Sequence, residues 1–263
     1  MKKLIYVGLA LATFAIGCKQ AAKETAVVGV HKMDKQSFTD GKTETVFSAA
    51  DGLVQYKIYT PEGYFYIKET KDSSVSFGTG SYVQAGNTIT ETNIYNSGSF
   101  DTAWSAKVEV EAAEKGYNQT VPELTVNGTK YKLVENYTTV ATTAAASPLD
   151  GIWKQTKTLV VSGKDTTDRT YNEYKVYSAG HFMWATRYMN DTTAKTMTNL
   201  VGHGTFTLNN DALTEQLDFS SRKDILGTYN IKIKFNGDDE YTQETVDAKA
   251  QTTDLKTYKR LKK

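Results

Sequence analysis

A single cysteine, Cys18, serves this whole chain of 263 residues, so no intramolecular disulfide and no thiolate metal cluster can form. An excess of charge of one sign is also missing. The 31 basic side chains less Lys2 and Lys3, which belong to the leader considered below, leave 29 against 30 acidic ones. Nucleic-acid binders carry a basic face and a basic surplus, so that class is disfavoured. The crowding of Lys259, Arg260, Lys262 and Lys263 reads as a solvated terminal strand. The sequence has no Gly-x-Ser-x-Gly elbow, no His-Glu-x-x-His helix and no glycine-rich phosphate loop, so an enzyme is not expected. Long apolar runs are absent with one exception, Leu4 to Ile16. That run is short of the roughly 20 residues a spanning helix needs.

What is present is the same module twice. Gln55-Tyr56-Lys57-Ile58-Tyr59 returns as Glu173-Tyr174-Lys175-Val176-Tyr177, an offset of 118 residues. Gly78-Thr79-Gly80-Ser81-Tyr82 returns as Gly202-His203-Gly204-Thr205-Phe206, Thr90-Glu91 as Thr214-Glu215, and Tyr117-Asn118-Gln119 as Tyr241-Thr242-Gln243, all offset by 124. Ordered matches at near-constant register mark a duplication. The organisation that follows is a targeting segment over 1–17, a polar tether over 18–28, and a first module over 29–140. A low-complexity linker over 141–148 and a second module over 149–263 complete it.

Within each module apolar residues alternate with polar ones, as in Tyr56 and Ile58, Tyr174 and Val176, or Ile231, Ile233 and Phe235. Asp40-Gly41, Gly86-Asn87, Asn127-Gly128 and Asn236-Gly237 supply turn chemistry between these runs. Only Glu109 to Lys115 has a helical flavour, and there the partner repeat reads as strand. The pattern predicts an all-β chain of two tandem small antiparallel barrels.

Ala15-Ile16-Gly17-Cys18, behind Lys2, Lys3 and the apolar run, resembles the lipobox of bacterial lipoproteins. The resemblance implies cleavage before Cys18, acylation of that cysteine, and a lipid anchor in a bacterial cell envelope. The outer membrane is the expected address. Few acidic residues follow Cys18, which favours the periplasmic face over surface export. The membrane is then the expected partner; a protein partner is unknown. Gly151-Ile152-Trp153 opens the second module and Tyr258-Lys259-Arg260 nearly closes it. A Gly-x-Trp with a late basic residue resembles the lipocalin signature, in which the indole closes the barrel floor beneath a cation. Together with Gly180-His181-Phe182-Met183-Trp184 and the shared motifs above, it looks like the short lipocalin-like domains of Bacteroidota lipoproteins. The first copy departs from this pattern, with His31 at the tryptophan position.

The resemblance implies Trp153 and Arg260 as barrel closure and an interior that is either filled or holds one small apolar or amphipathic ligand. The rival to ligand binding is a non-catalytic structural or protein-interaction module of the envelope with filled barrels. Tyr174, Phe182, Trp184 and Phe206 in the second copy, and Tyr56, Phe65 and Tyr82 in the first, are the candidate cup lining. Counting by twos, Ile89-Glu91-Asn93-Tyr95 and Leu213-Glu215-Leu217-Phe219 each share a face. Glu91 and Glu215 therefore point with apolar residues and need partners, since an unpaired buried charge is costly. Glu215 is a candidate ligand anchor, with Arg187 or His181 near it; the plainer alternative pairs it with a tyrosine hydroxyl or a basic side chain. His181, His203 and Glu215 match no metal spacing, and the first copy has Tyr64 and Thr79 in place of the histidines, so no metal or cofactor is expected. Asp101-Thr102-Ala103, Asp165-Thr166-Thr167 and Asp191-Thr192-Thr193 resemble Bacteroidota O-glycosylation acceptors, but such tripeptides are short and common, and the reading as loop turn residues is preferred.

Overall fold

Runs rich in Thr, Tyr, Val and Phe that alternate every second residue can satisfy their backbone only by pairing with neighbouring strands. The computed structural model of the chain describes residues 26–98, 104–191, 196–247 and 250–262. Cys18, Asp101-Thr102-Ala103 and most of Asp191-Thr192-Thr193 lie outside the described residues. The first half forms β1 (Gly29–Thr39), β2 (Glu44–Ser48), β3 (Val54–Tyr59), β4 (Tyr64–Glu69), β5 (Val75–Ala85), β6 (Thr88–Asn96), β7 (Trp104–Ala113), β8 (Gly116–Val126) and β9 (Thr129–Thr139). The second forms β10 (Gly151–Ser162), β11 (Asp165–Asp168), β12 (Asn172–Ser178), β13 (His181–Asp191), β14 (Thr196–Asn209), β15 (Ala212–Ser220), β16 (Gly227–Phe235), β17 (Glu240–Asp247) and β18 (Thr252–Arg260). The helical flavour of Glu109 to Lys115 gives way to strand as far as Ala113 and a turn at Glu114 and Lys115, because β7 pairs with β6 and folds back onto β8.

Each half closes as an antiparallel barrel of eight strands, with β2 and β11 as short additions. The first strand of each half achieves this by splitting one of its edges. Gly29–Lys32 pairs with β3 and Lys35–Thr39 with β2, while the other edge runs along β9. The second copy repeats the arrangement with β12, β11 and β18. Bulges recur at matching places too, at Asp34 and Thr156 in the first strands and at Ile94 and Asp218 in β6 and β15. An extra residue flips the phase of everything beyond it. Tyr95 and Phe219 therefore leave the face of Glu91 and Glu215 and point outward. Thr166 sits in β11, an exposed strand rather than a loop.

The inward phase of β3 and β12 reverses the expectation. Gln55, Lys57 and Tyr59 point into the first barrel, and Glu173, Lys175 and Tyr177 into the second, where Tyr59 and Tyr177 join the interior clusters. Tyr56, Ile58, Tyr174 and Val176 point out. Their surroundings are apolar all the same, because the barrels pack against each other through these outer faces. One continuous cluster joins Val30, Ile58, Phe65, Ile67, Phe77 and Tyr95 of the first half to Ile152, Tyr174, Val176, Met183, Ala185 and Val201 of the second.

The contacts across this seam are reciprocal. Tyr56 reaches Phe219 with ring centroids 6.5 Å apart, and its counterpart Tyr174 stacks on Tyr95, the counterpart of Phe219, at 4.5 Å. Lys223 pairs with Glu69 at 3.0 Å, and Arg187 donates to the Asn96 carbonyl at 3.2 Å. The linker is tied down as well: Thr143 N–H donates to the Ala179 carbonyl at 3.0 Å, and a His181 ring nitrogen lies 2.9 Å from the Ala141 carbonyl.

Candidate functional site

The floor of the second barrel is built on Trp153. Its indole N–H donates to the Leu149 carbonyl at 2.7 Å, and its ring meets Tyr241 edge-on at 4.7 Å. Arg260, directly opposite in the β10–β18 register, lays its guanidinium 4.1 Å from the indole centroid. Such a contact contributes about 0.5–2 kcal/mol. The guanidinium also donates to the carbonyls of Pro148 at 2.7 Å and Asp238 at 3.0 Å, and to that of Asp150, so one side chain ties the linker's end and a turn to the floor. Gly151 makes this possible, since any side-chain carbon there would collide with the guanidinium. The first barrel performs the same closure without indole or guanidinium. A His31 ring nitrogen lies 2.8 Å from the Val27 carbonyl, four residues back as in Trp153, and the ring meets Tyr117 edge-on at 4.8 Å. Burial foremost, then the nearby Lys57 charge, lowers the His31 pKa to about 4 despite its backbone hydrogen bond.

Above each floor sits a buried lysine. Lys175 Nζ lies 2.8 Å from one Glu215 oxygen and 3.1 Å from the other, and donates to Gln243 at 3.4 Å. The Tyr177 hydroxyl donates to the same carboxylate at 2.5 Å. The first barrel repeats the quartet: Lys57 lies 2.6 Å from Glu91 and 2.9 Å from the Gln119 carbonyl oxygen, and Tyr59 donates to Glu91. Glu91 and Glu215 thus face inward beside apolar residues, each held by a lysine and a tyrosine. Arg187 and His181, expected near Glu215, belong to the opposite face of the sheet. His203 is there too, stacked between Tyr56 at 3.9 Å and His181 at 5.8 Å, so the three metal-type residues do not converge. Among the described residues no cluster of three suits a metal ion.

Beyond the quartet the copies diverge. In the first barrel, Gln119 donates to Glu135 at 2.9 Å, Gln36 donates to Glu135 at 2.9 Å, and Lys68 donates to Gln36 at 2.8 Å. Tyr137 adds a hydroxyl to Glu135 at 3.0 Å, and the lumen is crossed by this network from quartet to mouth. At the mouth, walled by Gln36 and Lys68 of that network, is a groove of about 740 Å³ lined also by Phe38, Phe47 and Leu53. The second barrel instead holds a cup of about 700 Å³ that reaches down to Lys175, Glu215 and Phe182. Trp184 lies against β14 at Gly202, where any side-chain carbon would strike the indole. Glu173 lines the cup. Burial raises its pKa, but Lys256, Lys175 and the Tyr258 hydroxyl outweigh that, and the net shift is downward.

Of the expected ligand residues, Phe182, Trp184 and Glu215 line the cup. Phe206 lies beneath, edge-on to Tyr177 at 4.9 Å, and Tyr82 takes the matching place against Tyr59 at 5.0 Å. Glu91 is enclosed in the first barrel's quartet. Three expectations are corrected: Tyr56, Phe65 and Tyr174 line no lumen but pack in the seam, because the apolar phase of β3, β4 and β12 is the outer one. Sequence reasoning missed Lys57, Lys175, Gln119 and Gln243. Their recurrence at equivalent positions in both copies was the available signal.

No protein-family model and no curated protein matches this chain. Among solved structures it is similar to a protein of unknown function from the DUF3598 family of Nostoc punctiforme, at 11% identity over 89% of this chain and 96% of that one, with a TM-score of 0.27.

Two outcomes follow from the floor and the quartet. In the unfolded chain His31 titrates near 6.5, and in the folded one near 4. The unfolded state therefore binds more protons between these values, and the stability is complete above pH 6.5 and lost as pH falls toward 4. The loss from His31 is about 3 kcal/mol. Urea unfolding of wild type and His31→Gln at pH 7 and pH 4 is expected to show a smaller acid loss in the variant. Replacing Lys175 by Met strands Glu215 in the lumen and is expected to cost about 3–5 kcal/mol. Adding Glu215→Leu should recover most of it; a double variant as unstable as the single one would refute the pairing.

Proposed function

We propose that the chain is a bacterial envelope lipoprotein whose second barrel holds one small apolar or amphipathic molecule, with the first barrel as its buttress. The observation that carries this reading is the cup in the second barrel. Its volume of about 700 Å³ falls within the roughly 300–1,000 Å³ of small-molecule sites, and Phe182, Trp184, Leu217 and Ile231 give it apolar surface. The reading is non-catalytic, since Glu215 is committed to Lys175 and Tyr177. A purely structural role suits the first barrel, where the hydrogen-bond network closes the lumen beneath the mouth groove and that groove does not reach Lys57 and Glu91.

Titration with 1-anilinonaphthalene-8-sulfonate is expected to give saturable one-to-one binding that quenches Trp184. Trp184→Ala should weaken it about tenfold, the equivalent of ~1.4 kcal/mol. Absence of saturable binding would leave the second barrel as a structural module too. The anchor rests on the lipobox resemblance at Cys18, and with it the outer-membrane address and periplasmic face. The intact mass of membrane-extracted protein from its own host is expected to correspond to a chain starting at Cys18 and bearing acyl groups. Cys18→Ser should release the protein from the membrane fraction, and an unmodified, uncleaved chain would remove this part of the proposal.

A further inference from the structure

The lining of the cup is divided. On the arc formed by β13 to β16 it is mainly apolar, with Phe182, Trp184, Leu200, Leu217, Tyr229 and Ile231, broken by Thr186 and by Arg222, which is paired with Asp224. On the arc formed by β17, β18 and β12 it is polar, with Gln243, Thr245, Asp254, Lys256 and Glu173. Lys175 and Glu215 bridge the two at the bottom. The polar arc leaves hydrogen-bonding capacity unused. Lys256 reaches Glu173 at only 3.5 Å, and Gln243 engages Lys175 through its carbonyl oxygen at 3.4 Å, which leaves its N–H₂ to the lumen. Among the described residues the Thr245 hydroxyl and the Asp254 carboxylate have no hydrogen bond or ion pair.

We infer that the cup is shaped for a rigid facial amphiphile, a molecule with one apolar face and hydroxyls along the opposite edge. This deepens the ligand-binding reading above and rests on it. An unbranched alkyl chain is apolar all round. Seated here it would strip water from Asp254, Gln243 and Lys256 and return nothing, and a buried polar group left unpaired is costly. A uniformly polar ligand would forgo the apolar arc. A hydroxyl both donates and accepts, so one row of hydroxyls can serve the Asp254 acceptor and the Gln243 and Lys256 donors alike. Rigidity matters because a flexible chain loses rotational freedom on binding, whereas fused rings arrive already ordered.

The test compares cholate, whose hydroxyls lie on one face of a fused ring system, with palmitate, a linear carboxylate of the same charge. Both are titrated calorimetrically into the full chain. Cholate is expected to bind at least about tenfold tighter, and Thr245→Val with Asp254→Ala to shrink that advantage below about threefold without weakening palmitate. Both substituted positions are part-exposed at the mouth, so the fold tolerates them. Palmitate binding as tightly as cholate, or a cholate preference unchanged in the double variant, overturns the inference and leaves the general reading standing. So does binding of the anilinonaphthalene probe with neither carboxylate bound. Failure of all three probes removes both.

Discussion

An ammonium group held inside each barrel sets the rest of the architecture. Lys57 and Lys175 are almost fully buried, at 2% and 4% exposure, and such a charge is tolerable only with a carboxylate and further hydrogen bonds around it. Glu91 with Tyr59 and Gln119, and Glu215 with Tyr177 and Gln243, meet that requirement from three separate strands. The pairing fixes which way β3 and β12 face. Once Lys57 and Lys175 point in, Tyr56, Ile58, Tyr174 and Val176 must point out, and that apolar surface has to be covered. The other barrel covers it. The seam between the halves is thus a consequence of the polar interior.

This explains what could be read from the chain and what could not. The offset of 124 residues exposed the duplication, and alternation with Asn-Gly and Asp-Gly turns exposed an all-β fold of two barrels. Alternation reports that a strand has two unlike faces; it does not say which is the lumen. In an isolated barrel the apolar face of Gln55 to Tyr59 would be the inner one, and Tyr56, Phe65 and Tyr174 would line a cup. A second barrel packed outside reverses that reasoning, since both faces of the strand are then buried. Tyr95 and Phe219 escaped for another reason. A single extra residue, Ile94 or Asp218, shifts the phase within one strand, and nothing in the composition of β6 or β15 marks the place. Glu91 and Glu215 were legible because the bulges lie beyond them.

The two floors show how closure survives a change of residue type. What the site requires is a flat ring with an N–H that can reach the carbonyl four residues back, packed against the edge of a tyrosine. Trp153 and His31 both meet it, at 2.7 and 2.8 Å. The difference is electrostatic. An indole cannot take up a proton in any ordinary range, whereas the imidazole can and is held neutral by burial. The second barrel adds the Arg260 guanidinium over its ring, and Gly151 leaves room for it. In the first barrel the residue opposite His31 is Thr139, whose hydroxyl lies 3.3 Å from the other ring nitrogen. A cation there would face an imidazole that has already to be kept uncharged.

Divergence above the quartets turned one lumen into a network and the other into a cup. Where the first barrel has Glu135, linked to Gln36, Gln119 and Tyr137, the second has Lys256, reaching Glu173 at 3.5 Å. Where the first has Asn93, bonded to Tyr64 at 3.1 Å, the second has Leu217 on the apolar arc. The first change reduces a branched set of hydrogen bonds to one long ion pair, and the second replaces a hydrogen-bonded amide by an apolar side chain. An open lumen forgoes packing contacts that a filled one keeps, and it does so here in a barrel whose floor carries the additional indole–guanidinium contact and whose outer face is pressed against a partner crossed by hydrogen bonds. The indole–guanidinium contact at its base and the apolar seam on its flank stabilise the barrel that holds the open lumen.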